Sequence, residues 1–219
     1  MAVTTETTNG SKVTTIRGVL FDYGGVLAEE GFREGLFSIA RQQGLGPDAF
    51  YQAAQEGVYD TGFVSGKGTE SDFWRYMRQR FSLQGDDASL STEILQRFVL
   101  RPRMITLVRI LRRRGFLVGI LSDQTVWLDQ LDQSDRFYRE FDRLYISYRL
   151  GKGKRDASLF DDVADDLDQS PDRLVFIDDN QGNVERACSR GMKGIEFTSE
   201  KECLVRLEAL LGQSLHDVT

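Results

Sequence analysis

The residues best able to do chemistry in this chain stand at the ends of short apolar runs. In GVLFDYGGVL the run Val19 to Phe21 leads straight into Asp22, and Gly24 and Gly25 follow with no side chain to cover it. An open carboxylate can act as a nucleophile, and the bare main-chain amides of a glycine turn can hold an anion. The same aspartate also has a plainer use, as a turn former or helix cap. LVGILSDQ ends in Ser122 and Asp123, LVFIDDNQGN contains Asp178 and Asp179, and SYRLGKGKRD offers Lys152 and Lys154 between them. Gathered at one place, these residues supply a carboxylate, a hydroxyl, an ammonium and a pair of acids. Several carboxylates in one cleft repel one another unless a hard cation joins them, and magnesium suits because it needs few protein oxygens and also grips phosphate.

Such a gathering needs elements that converge. The runs Val19–Asp22, Leu117–Ser122, Leu144–Ser147, Leu174–Asp178 and Gly194–Phe197 read as strands, and they alternate with longer amphipathic segments. That alternation predicts an α/β fold, a Rossmann-like parallel sheet flanked by helices, whose strand ends open on one crevice. From 31 to 101 the helical segments FREGLFSIARQQG, PDAFYQAAQEGVYDTG and ESDFWRYMRQRFSL predominate, so a helical cap is expected there, inserted into a core of 16–30 and 102–219. Within it Phe73, Trp74, Tyr76, Met77 and Phe81 are expected to pack. Residues 1–15, rich in threonine, read as a flexible leader.

Composition narrows the function. With a net charge of −6 and a pI near 5.0, a general nucleic-acid surface is not expected. The basic cluster Arg112 to Arg114 reads as a helix end. No apolar run is long enough to span a bilayer, and MAVTTETTNGSK lacks the pattern of a signal peptide. Cys188 and Cys203 lack metal-ligand spacing, which together with the rest points to a reduced, cytoplasmic setting. The single histidine, His216, lies in the polar tail and is given no role; Asp165, Asp166 and Asp168 read as a solvated helix face.

Four segments then fall into a known order. FDYGGVL, ILSD, GKGKRDASLF and FIDDNQGNVERACSRGM, with YDTGFVSGKGTESDFWRYM between the first two, resemble the haloacid dehalogenase-like hydrolases, chiefly the phosphatases with a helical cap after the first strand. The resemblance implies that Asp22 takes the phosphoryl group as an aspartyl-phosphate and that Ser122 binds the transferring phosphate beside Asp123 and the Gly25 amide. It implies Lys154 as the charge-balancing lysine, and Asp22, Asp179, neighbouring Asp178 and the Gly24 carbonyl as the magnesium site. Asn183 would orient that loop. Three positions depart from the pattern. Gly24 stands where the phosphatases carry a second aspartate that protonates the leaving group, Asp123 where asparagine is common, and Arg155 where proline is frequent. The expected function is magnesium-dependent hydrolysis of a small phosphorylated metabolite. Metal-independent 2-haloacid dehalogenation is an alternative, against which the Asp178–Asp179 pair argues; so is a phosphate-binding regulatory module with weakened catalysis.

Overall fold

The computed structural model describes residues 15–215. Five strands, β1 (Gly18–Phe21), β2 (Leu117–Ser122), β3 (Arg143–Ile146), β4 (Leu174–Asp178) and β5 (Lys193–Glu196), form one parallel sheet in the order β3-β2-β1-β4-β5. The central strands are apolar on both faces because helices cover both sides: Val19, Leu20, Phe21, Val175, Phe176 and Ile177 are all buried. The edge strands instead start on the exposed cations Arg143 and Lys193, which discourage further pairing.

Strand β1 lies in the middle, with Phe21 level with Ile120 on one side and Ile177 on the other. One residue further the ladder ends, and the Asp22 N–H donates to the Ile177 carbonyl at 2.8 Å. Asp22, Ser122 and Asp178 therefore reach the same edge of the sheet. The expected strands agree to within one residue; Ser147 starts a helix, and Asp22 and Phe197 follow their strands.

Between β1 and β2 lie α1 (Gly31–Gln42), α2 (Pro47–Asp60), α3 (Glu70–Arg80) and α4 (Asp87–Leu95), and α5 (Pro102–Arg113) then leads into β2. The first three match the periodic segments of the sequence, while α4 has no expected counterpart. Local chemistry fixes their starts: Pro47 opens α2, and Thr69 and Asp72 exchange bonds in a capping box at α3. Phe73, Trp74 and Met77 are fully buried, whereas Tyr76 and Phe81 are half-buried against the same core. The Trp74 indole N–H donates to Ser91 on α4 at 2.8 Å. Helix α6 (Trp127–Asp135) follows β2, and its Trp127 meets Phe63 edge-on at 5.2 Å, joining the helical segment to the sheet.

The remaining helices are α7 (Ser147–Leu150), α8 (Ser158–Asp166), α9 (Gln181–Ser189) and α10 (Glu200–Leu211). Arg112 ends α5 as expected and its Nε donates to Asp142 at 3.0 Å. Cys188 and Cys203 are both free thiols. Asp166 is not purely solvated, since it accepts the Tyr145 hydroxyl at 2.6 Å. Among the described residues no helix is long and apolar enough to cross a membrane. His216 and, apart from Thr15, the leader lie outside the described residues.

Candidate active site

Asp22 sits where β1 gives way to the glycine turn. Its Oδ1 accepts from the Tyr23 N–H at 2.8 Å and the Ser122 hydroxyl at 2.5 Å, and stands 3.0 Å from Lys154 Nζ. Ser122 belongs to the last position of β2, so neighbouring strands alone bring carboxylate and hydroxyl together. Burial pushes the Asp22 carboxyl up to about 7; Lys154 opposes that rise, while Asp178 and Asp179 add to it.

Lys154 comes from the loop between α7 and α8, and its side chain is only 2% exposed. Its ammonium donates to Asp178 Oδ2 at 2.6 Å. Burial alone would strip the proton from such a lysine, but Asp178 and Asp22 outweigh it and hold Lys154 well above its ordinary range. The two lysines of the sequence thus separate: Lys152 points away and donates to Asp162 at 2.6 Å.

Asp178 is fully buried and heavily engaged. Besides Lys154 it accepts the Asn180 N–H at 2.7 Å and the Asn183 Nδ2 at 3.0 and 3.2 Å. Asn183 lies in the first turn of α9 and is itself held by Arg186. Asp179, next in line, is exposed and packs on the Cα face of Gly25, where a Cβ would come within 2.1 Å of its Oδ2. Gly25 also has φ +78°, a region that only glycine enters freely. Partial desolvation by the surrounding loops and the neighbouring Asp178 raise the Asp179 carboxyl.

Asp22, Asp178 and Asp179 offer oxygens within 4.8 Å of one another. Hard anionic oxygens at that spacing fit a magnesium ion, and the bonds already made by Asp178 leave Asp22 and Asp179 the freer donors. The arrangement can present a carboxylate to an electrophile while a lysine and a cation neutralise the oxygens around it.

The Asp123 charge, which would repel an anionic substrate if bare, is met on both oxygens. Oδ1 accepts the Lys154 N–H at 2.8 Å and Oδ2 the Tyr59 hydroxyl at 2.9 Å. Tyr59 comes from α2 and lies under the Arg155 guanidinium, 3.4 Å from the ring centroid. That cross-link spans 64 residues of sequence, and no local signal announces it.

These residues border a cavity of about 260 Å³. Its wall mixes apolar Phe32, Val58, Val64 and Trp127 with polar Gln55, Gln124 and Arg155. Glu30 lines it too, a residue that sequence reasoning passed over although it lies in the same connection between β1 and α1 as Gly24. Its carboxyl is pushed up to about 7, chiefly by burial. The only trace in the sequence is the acidic pair Glu29–Glu30, of which Glu29 pairs with Arg101 at 2.9 Å.

The profile of the haloacid dehalogenase-like hydrolases matches residues 16–186. A bifunctional epoxide hydrolase of Rattus norvegicus is 29% identical over 129 residues, 56% of this chain but only 23% of the relative, so the chain spans about a quarter of that protein. A sesquiterpene phosphatase of Aspergillus oryzae is 27% identical over 153 residues, covering 68% of this chain and 78% of the relative. Among solved structures, a haloacid dehalogenase family enzyme of Bacteroides thetaiotaomicron in complex with magnesium and inorganic phosphate superposes with a TM-score of 0.63 at 21% identity, over 82% of this chain and 93% of the other. With the profile matched from β1 through the helical segment and β4 into α9, the chain belongs to the haloacid dehalogenase-like hydrolases.

Proposed function

We propose that this hydrolase is a magnesium-dependent phosphatase that cleaves a small phosphate monoester through an aspartyl-phosphate on Asp22. The observation that carries the reading is the buried Lys154 ammonium held between Asp22 and Asp178, with the Ser122 hydroxyl on Asp22 and the exposed Asp179 alongside. Asp22 attacks phosphorus and the bond to the alcohol oxygen breaks. Ser122 and the Gly25 N–H hold the phosphoryl oxygens, and Lys154 balances their charge against Asp22. Asp22, Asp179 and the Gly24 carbonyl would hold magnesium, with Asp178 beside them oriented by Asn183. Bound there, magnesium neutralises charge on the phosphate oxygens.

Asp123 borders the phosphate without repelling it, because both of its oxygens are engaged. Residues 31–101 act as a cap that supplies the outer wall and with it the choice of alcohol. The name of the Aspergillus relative and the phosphate complex of the Bacteroides enzyme support this reading. The two free thiols suit a cytoplasmic protein.

The test is phosphate release from a panel of small esters with magnesium. Release should vanish with a chelator and fall about 10⁴-fold or more in Asp22→Asn. Chelator-resistant release of halide from a 2-haloacid would make the chain a dehalogenase instead. Stabilisation by magnesium and beryllofluoride with no turnover of any ester would make it a binding module.

A further inference from the structure

Gly24 removes the side chain that would protonate a leaving group, yet a carboxylate stands beside the gap. The point that a Cβ on residue 24 would occupy lies 3.9 Å from Glu30 Oε1. An aspartate at 24 would carry its oxygens beyond that Cβ, within contact reach of Glu30 Oε1. Glu30 borders the same cavity as Asp22 and Lys154. It is held in place from behind: its Oε2 accepts the Arg33 N–H at 2.7 Å and caps α1, which leaves Oε1 uncommitted to that bond. Glutamate is not among the favoured capping residues, so capping alone gives little reason for its presence there.

From these positions we infer that Glu30 is the proton-transfer residue of the site, taking over the duty that Gly24 gave up. The inference rests on the phosphatase reading above. In the first half-reaction Asp22 forms its bond to phosphorus, the bond between phosphorus and the ester oxygen breaks, and the Glu30 proton passes to that oxygen to release the alcohol. In the second, water attacks the aspartyl-phosphate, Glu30 takes the proton of the water, and the bond to Asp22 breaks. Asp22 is restored, inorganic phosphate leaves, and Glu30 is again protonated. The charged and titratable groups facing Glu30 are Arg33 and Glu34 on its own helix, Asp179 beyond β4 and Tyr51 on α2. Burial is the main cause that holds the group toward its protonated form.

The test compares an alkyl ester, glycerol phosphate, with the activated aryl ester 4-nitrophenyl phosphate, whose departure needs no proton. Glu30→Gln keeps an oxygen for the Arg33 N–H, and Glu30→Ser keeps a favoured cap, so either variant preserves the start of α1. In both, alkyl turnover should fall about 100-fold or more while the first-turnover burst of nitrophenol stays within roughly threefold of wild type. Intact mass should show the phosphoryl adduct accumulating, because its hydrolysis lacks a base. Gly24→Asp added to Glu30→Gln should recover alkyl turnover. Alkyl turnover unchanged in both variants, or an equal fall in the alkyl rate and the nitrophenol burst, would overturn the assignment and leave the phosphatase reading intact. A wild-type protein inactive on both esters would instead defeat that reading, and this one with it.

Discussion

The two sides of the candidate site are built differently. On one side Asp22, Ser122, Lys154, Asp178 and Asn183 form a closed set of buried bonds, each acid facing a donor at 3.2 Å or less. On the other, Glu30 and the exposed Asp179 raise each other's environment in negative charge, and among the described residues neither makes an ion pair within 4.0 Å. The first side is rigid by its own chemistry. Beyond the Arg33 N–H that Glu30 accepts, the second has most to gain from a positive charge or a proton, which is where substrate, cation and leaving group would meet. Groups that transfer charge must be left poorly compensated, whereas groups that only position can be saturated.

The sharpest break of this contrast is Lys154→Met set against Asp179→Asn. The first leaves Asp22 and Asp178 buried without their cation and should cost about 3–5 kcal/mol. The second relieves repulsion and should cost nothing or stabilise. Urea unfolding without magnesium reads both, and equal losses would erase the distinction between the sides.

Gly25→Ala comes next. The new methyl meets Asp179 and the positive φ opposes it, so a loss of about 2 kcal/mol with weaker magnesium binding is expected. Gly24→Ala need only displace the Phe98 ring edge, 3.3 Å away, and should stay within about 0.5 kcal/mol. Calorimetric titration of magnesium into both variants checks the pair.

A smaller effect belongs to Glu30. Unfolded, its carboxyl ionises near 4.5; folded, it holds its proton to about 7. Its protonated form is thus compatible with folding below 4.5, and wild-type stability declines as pH rises from there through 7. Glu30→Gln escapes that decline, so it should be more stable than wild type by roughly 1–2 kcal/mol above pH 7, solvent screening of this half-buried group removing about half of the unscreened effect, and equal to it near pH 4. Melting curves across that range decide it.

The smallest is Tyr59→Phe, which frees Asp123 Oδ2 from its bond across the cavity and should cost about 1 kcal/mol. Because the bared charge would face the phosphate of the proposed substrate, KM should rise while kcat changes little. A fall in kcat alone would show that the tyrosine does more than shield Asp123.

How much of this was legible in the sequence follows from the range of the forces involved. Asp22, Ser122 and Asp178 were readable because apolar runs end on them, and a parallel sheet brings such ends to one edge. Helix α4 escaped notice because only Leu90, Ser91 and Ile94 of its nine residues are buried, too few to mark a face. Glu30 and Tyr59 escaped for another reason. An acid before a helix and a tyrosine within one are ordinary in sequence, and only the folded chain sets them beside Gly24 and Asp123. Lys154 could be told from Lys152 only by resemblance, since both follow the same glycine-rich turn.

The central place of β1 in the sheet has a kinetic side. Its two neighbours, β2 and β4, begin at Leu117 and Leu174, so the first strand to be synthesised is the one that waits longest for a complete set of partners. At ribosomal speeds of about 5–20 residues per second, β1 spends on the order of ten seconds with at least one sticky apolar edge open. For that interval Asp22 lacks Ser122, then Lys154, then Asp178. The nascent chain carries a carboxylate without its partners, and the closing of the last ladder against β4 both buries the aggregation-prone strand and completes the candidate site.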